Sequence, residues 1–317
     1  MKWLALLSVT MATAIYAAED KPQAETFLDP VKGGPDYTDQ GEYKNEWGGA
    51  QIIALGEGNF RIVTYKGGLP GAGWDEEYKQ EMPGKRQGGK IVFTGANNYR
   101  AELANGKITI TTDSGGPYTM EKTERTSPTL GAKPPPGAIV LFDGTSAGAW
   151  TDGHMDDRHL LAAGSKSKQD FTNFTAHLEF LLPFKPLGRG QDRGNSGVYL
   201  QDRYEVQVLD SFGLKGENNE CGGIYTLAEP AVNMCFPPLT WQTYDLDFTS
   251  AKHDESGKKT KNAVVTIKHN GVPIHEKLEL KGPTPGNGRP EDGSGGPLQL
   301  QGHGNPVFYR NVWVIPK

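Results

Sequence analysis

Glu205, Gln207 and Asp210 stand in one strand-like run, Arg203-Tyr204-Glu205-Val206-Gln207-Val208-Leu209-Asp210. A period of two puts Glu205 and Gln207 on one face, while Val206 and Val208 pack on the other. Asp210 falls on the opposite parity unless a bulge intervenes. Glu and Gln are poor strand formers, and residues that resist their local structure are more often kept for a site than for packing. Glu205 is therefore a candidate base, and Gln207 and Asp210 candidate ligand contacts. Asn195, just upstream in Gly194-Asn195-Ser196-Gly197, offers an amide for hydroxyl or oxyanion groups. A second passage places His303 between Gly302 and Gly304, then Arg310 in Tyr309-Arg310-Asn311-Val312-Trp313. A loop imidazole near neutral pH can act as acid, base or metal ligand, and a guanidinium offers a rigid donor fork. A divalent ion held by Glu205, His303 or Asp210 would supply a Lewis acid. Each residue also has a plain structural reading. Glu205 and Gln207 could bond across a sheet, His303 could be an exposed turn residue, and Arg310 could pair with a structural carboxylate.

The elements that must position these groups read as β throughout. Gly 42 and Pro 22 punctuate the 317 residues at short intervals, as suits short strands joined by turns. Before Pro134-Pro135-Pro136-Gly137, strands are expected at 50–55, 60–65, 90–94, 99–103 and 107–112, with Asn105-Gly106 as a type I′ hairpin signal. No run has a helical period. Three prolines cannot continue a helix or a central strand, so residues 133–137 read as a linker. They divide a small all-β domain over 19–132 from a second over 138–317. There, strands are expected at 138–142, 174–180, 241–248, 263–269 and 307–315, with Asn270-Gly271 as another hairpin turn. So many alternating strands imply two packed antiparallel sheets, a β-sandwich with a face for a ligand. The glycine-rich loop Gly67–Gly73 lacks the context of a phosphate loop. Trp74 beside it suits either a stacked sugar or packing on the next domain.

Composition and the chain's start set the compartment. Met1-Lys2, an apolar run from Trp3 to Ala14 and small residues to Ala18 read as a secretory signal peptide over 1–18. No later segment is apolar enough to cross a bilayer as a helix. The mature chain is thus expected to be exported, to the periplasm or beyond, with no membrane anchor. Net charge is −5 with no basic block, which argues against nucleic acid as a partner. Cys221 and Cys235 are fourteen positions apart, and in an oxidising compartment a disulfide between them is expected. Closing that loop would contribute about 3 kcal/mol. His154-Met155-Asp156-Asp157-Arg158-His159 groups possible ligands but is polar loop sequence without zinc spacing.

Leu141-Phe142-Asp143-Gly144-Thr145 followed by Trp150, the Gly-Asn-Ser-Gly strand, the Tyr-Glu-Val-Gln-Val-Leu-Asp strand, Trp241-Gln242-Thr243-Tyr244 and the Gln301–Trp313 ending occur in a recurring order. Together they resemble the 3-keto-disaccharide hydrolase domain family, from about Pro136 to Lys317. The resemblance implies a concanavalin-like jelly roll acting on sugars oxidised at the 3-position in bacterial envelopes. A C3 ketone acidifies the C2 hydrogen. A base can then form an enolate that expels the aglycone from C1, and water added later makes the net reaction a hydrolysis. The Glu-x-Gln-x-x-Asp spacing is also similar to the Glu-x-Asp-x-x-Glu strand of laminarinase-type glycosidases, but Gln207 departs from it, so a two-carboxylate mechanism is not carried over. The alternative is a non-catalytic carbohydrate-binding or envelope-scaffold protein.

Overall fold

The computed structural model describes residues 25–317 except 97 and 114; the expected signal peptide lies outside the described residues. A single turn of helix, α1 (Gly34–Asp39), precedes eight strands: β1 (Gly41–Lys44), β2 (Gly48–Gly56), β3 (Asn59–Lys66), β4 (Lys79–Gln87), β5 (Lys90–Thr94), β6 (Arg100–Ala104), β7 (Lys107–Thr112) and β8 (Gly115–Thr123). Each pairs with its neighbours in sequence and β1 closes on β8, so the small domain is an up-and-down barrel without a free edge. Alternating apolar residues fill it, among them Tyr43, Ile52, Phe60, Ile62, Phe93 and Ile108. Asn105 and Gly106 both take positive φ, 51° and 72°, as a type I′ turn requires. Three barrel strands escaped the sequence reading, among them the short β1. Lys79–Gln87 carries Pro83-Gly84 and four Lys, Arg or Glu residues, and Gly115–Thr123 is almost wholly exposed. Neither has the alternation that marks a half-buried strand, yet barrel closure recruits both.

The rest of the chain continues with β9 (Ile139–Phe142), β10 (Trp150–Thr151), β11 (Leu161–Ala162), β12 (Ser165–Phe171), β13 (Phe174–Leu181), β14 (Ser196–Leu200) and β15 (Tyr204–Val208). Next come β16 (Trp241–Thr249), β17 (Lys252–His253), β18 (Lys259–Lys261), β19 (Ala263–His269), β20 (Val272–Leu280), β21 (Gly296–Leu300) and β22 (Phe308–Pro316). They form a β-sandwich. One sheet runs β10-β12-β21-β14-β15; the other runs β11-β22-β13-β16-β19-β20, with β9 added on β22. The inner faces meet in one core containing Leu178, Phe180, Val198, Leu200, Val206, Val208, Leu246, Ile267 and Leu300. The face of the five-stranded sheet that carries Glu205 and Gln207 therefore points away from this core.

The two units are packed together. Phe184, from the loop after β13, enters the barrel core and stacks near Phe27 and Tyr37. Phe212 joins Ile53, Val63 and Tyr65 of the barrel, with Trp74 edge-on to Tyr65 at 5.1 Å. Trp74 thus packs on Tyr65 of its own barrel, at the edge of the cluster that Phe212 joins. The segment after the barrel is pinned to the outer face of the larger sheet. Thr129 donates to Asp245, and the Gly131 N–H donates to Glu179 Oε1 at 2.6 Å. Burial alone would raise the Glu179 carboxyl, but donors from His177, Asn311, Arg310 and Gly131 override it and hold the group at about 2.

The disulfide expectation is corrected. Cys221 and Cys235 are free, fully buried thiols. The two thiols hydrogen-bond to each other; Cys221 Sγ also lies 3.3 Å from Tyr244 Oη, and Cys235 donates to the Leu209 and Phe236 carbonyls at 3.5 Å.

Candidate active site

β14 and β15 pair in continuous antiparallel register, with Gly197 opposite Gln207 and Tyr199 opposite Glu205. The strands thereby set Tyr199, Glu205, Gly197 and Gln207 side by side on the outward face. The loop after β15 turns back along this edge: Gly222 and Gly223 exchange backbone hydrogen bonds with Gln207, and the Tyr225 N–H donates to the Glu205 carbonyl. A second loop before β21 brings Pro285 and Gly286 over the sheet. Between them lies a cleft of about 170 Å³, whose remaining walls are Gln191, Asn195, Gln301 and His303.

Glu205 lies at its floor, 2% exposed. The Tyr199 hydroxyl donates to Glu205 Oε2 at 2.8 Å and is itself 3.0 Å from the Pro285 carbonyl. Glu205 Oε1 lies over the Gly197 backbone and has no hydrogen-bond donor among the described residues; a Cβ built on Gly197 would stand 2.1 Å from it. Glycine is required there for close approach, not for backbone conformation. Burial pushes the Glu205 carboxyl up to about 7, against a lowering contribution from the Tyr199 hydrogen bond. Burial, followed by the neighbouring Glu205 charge, raises the Tyr199 phenol, which stays neutral and donating.

The amides form a fixed rail beside the acid. Gln191 Oε1 accepts from Gln207 Nε2 at 2.9 Å and Asn195 Nδ2 at 3.1 Å, and Gln191 Nε2 donates to the Asn219 carbonyl. Gln301 Nε2 is 3.5 Å from the Tyr199 hydroxyl. His303 is exposed at the rim, in the loop that Asn305 steadies by donating to the His303 carbonyl. The structure thus brings Glu205, Gln207, Asn195 and His303 to one cleft, as expected.

A model of the 3-keto-alpha-glucoside-1,2-lyase-like domain matches residues 137–315. The chain belongs to that family. A crystal structure of a "putative glycosyl hydrolase" from Parabacteroides distasonis is 32% identical, with a TM-score of 0.52 over 57% of this chain and 84% of its own. Another protein so described from the same organism is 17% identical, with a TM-score of 0.42 over 57% of this chain and 94% of its own. No curated protein matches the chain significantly. The sandwich is a carbohydrate-active domain, as the resemblance implied.

Two expected site residues of this 3-keto-glucoside-lyase-like domain lie elsewhere. β15 ends at Val208 with no bulge, so Asp210 turns from the cleft and accepts from Arg193 Nε at 2.7 Å, both side chains buried. Arg310 lies on β22 in the other sheet, where it donates to Glu179 at 2.7 Å and its guanidinium sits 3.9 Å over the Trp241 ring. Its structural reading was the correct one. With Asp210 so engaged, the metal-ligand trio considered from sequence does not assemble, and the described residues hold no cluster of three His, Cys, Asp or Glu disposed for a metal. Gln191, Tyr199, Tyr225 and Gln301 were missed. Tyr199 and Gln301 stand in the two motifs already singled out, and strand parity with Glu205 was the available signal for Tyr199. Gln191 and Tyr225 arrive from loops that no period describes. A larger cavity of about 460 Å³ between the barrel and the Pro237–Thr240 loop of the sandwich is lined by Arg125 and Glu42, whose Nε–Oε2 distance is 2.6 Å, and its acid is already paired.

Proposed function

We propose that this cleft cleaves 3-keto-glycosides by β-elimination, with Glu205 as the base. One observation carries the reading: a buried carboxyl, held near neutrality by its surroundings, has one oxygen fixed by Tyr199 and the other free. A general base works best with a pKa near the operating pH. Glu205 Oε1 takes the C2 proton, and the electron pair forms the C2–C3 enolate with its charge on the former ketone oxygen. The enolate collapses to the ketone, C1–C2 becomes a double bond, and the C1–O bond breaks with its electrons on the aglycone oxygen. That oxygen takes a proton, for which His303 and Tyr225 stand at the rim. Water adding across C1–C2 then yields the free 3-keto sugar. Asn195 and Gln301 each have an amide N–H beyond the one engaged in the rail, suited to the enolate oxygen. A second carboxylate, which an ordinary glycosidase needs about 5–9.5 Å from the first, has no place in this scheme. Export of the mature chain belongs to the same reading, supported by the leader pattern of residues 1–18. Among the described residues no helix is long and apolar enough to cross a membrane.

The test is incubation of purified protein with an aryl 3-keto-glucoside and with its unoxidised parent across pH. Aryl release is expected only from the ketone, with kcat/KM rising as Glu205 deprotonates to a half-maximum near pH 7, the value to which burial raises it. Equal cleavage of the unoxidised glucoside would contradict the elimination. An acidic limb near 4.5 would contradict a buried base.

A further inference from the structure

The barrel has two mouths, and only one is stoppered. At the mouth where β2 ends and β3 begins, Phe184 of the sandwich and the α1 segment fill the opening. At the other, the end of β1, the start of β2, the end of β3 and the start of β4 frame a cavity of about 490 Å³. Trp47, Tyr78 and Tyr118 stand on its rim with exposures of 70%, 51% and 45%. Tyr99 lines its wall near Tyr78, Tyr118 and Thr64.

This rim is built, not frayed. Asn45 Oδ1 accepts the Trp47 and Gly48 N–H groups at 2.8 and 3.0 Å, and the Trp47 carbonyl accepts from Gly67 at 3.0 Å. The backbone of Trp47 is thereby fixed while its ring is left in water. Tyr78 is held by Asp75 through its N–H and by the Trp74 indole through its carbonyl. Three large aromatic rings held exposed around one cavity mark a binding surface. The mouth of a β-barrel is a favoured ligand position, and the volume falls in the range of small-ligand sites.

The chemistry of the lining chooses the ligand. The hydroxyls of Tyr78, Tyr99 and Tyr118 stand among the aromatic faces, Asn45 and Thr64 already bond the Thr119 and Gln80 carbonyls, and the one charged residue among the described lining residues, Lys66, is paired with Asp75 at 3.1 Å. Such a surface offers stacking planes and neutral hydrogen bonds. It has no unpaired charge for an anion or cation, and too many polar groups for a purely apolar occupant. We infer that the open barrel mouth is a second carbohydrate site, binding a neutral oligosaccharide on Trp47, Tyr78 and Tyr118 without cleaving it. This rests on the carbohydrate-active reading of the chain and places its non-catalytic binding on the barrel.

The experiment is titration calorimetry of the full chain with four neutral, unoxidised probes: maltohexaose, cellohexaose, laminarihexaose and xylohexaose. At least one should bind. Trp47→Ala, whose side chain packs little, should fold normally and weaken that binding about tenfold or more, as truncating an aromatic anchor does, while Glu205→Gln keeps it. Undiminished binding in Trp47→Ala, or no heat from any probe, overturns the inference. So does concentration-dependent dimerisation abolished by Trp47→Ala, which would make a second copy the occupant. Because the readout is binding of unoxidised glycans, its failure is distinct from failure of 3-keto-glycoside cleavage.

Discussion

Glu205→Gln is expected to lose about 10²–10⁴ in kcat/KM on a 3-keto-glucoside and to gain stability at the same time. Glutamine keeps the size of the side chain and an acceptor for the Tyr199 hydroxyl, while Val206 and Val208 remain in the core. What it removes is a carboxylate charged against its surroundings. Burial raises Glu205 from 4.5 to about 7, so the folded state favours the protonated acid. Stability from a raised group is fully present below its unfolded pKa and is lost as pH rises through the folded one. At pH 8 the variant should be more stable than the parent by on the order of 2–3 kcal/mol, and at pH 4 the two should match. Urea denaturation at both values checks this. A variant equally destabilised at both would show Glu205 to be a structural partner, and undiminished activity would show that it is not the base.

Asp210→Ala should act in the opposite sense, with a large loss of stability. Arg193 is buried, and besides Asp210 it reaches the Pro186 carbonyl and, across to the barrel, that of Ala54, each at 3.2 Å. Truncating Asp210 strands the guanidinium away from water. Breaking a buried pair from one side typically costs about 3–5 kcal/mol. Asp210→Asn, which keeps an acceptor, should cost less. Chemical denaturation decides. If Asp210→Ala is as stable as the parent but fails to saturate with substrate, Asp210 contacts the sugar after all.

The contrast between these two residues shows what was legible. Glu205 and Gln207 could be placed on one outward face because strand parity is local and Val206 and Val208 mark the buried side. Asp210 depended on whether the chain bulges or leaves the sheet after Val208, and that is decided by Arg193, seventeen positions away. Arg310 has the right type for a sugar contact, yet its strand belongs to the other sheet, and sheet membership is a non-local property. The sandwich was readable from its alternating strands, its Asn270-Gly271 turn and its motifs. Barrel closure was not, because β4 and β8 have almost no apolar alternation and owe their place to neighbouring strands. Cys221 and Cys235 were brought together as spacing suggested, but as free thiols that bond each other and also meet the Tyr244 hydroxyl, the Gln242 amide and the Leu209 carbonyl. Gln191 and Tyr225 sit on loops, where periodicity is silent.

The most direct test of Glu205 as a base uses an aryl 3-keto-glucoside carrying deuterium at C2. Elimination breaks the C2 bond before the aglycone leaves. The labelled substrate should therefore release its aryl group several-fold more slowly, and the deuterium should pass to solvent in step with release. Equal rates with full retention of deuterium in the freed sugar would mean that C2 is never deprotonated, and the elimination mechanism with Glu205 as its base would be wrong.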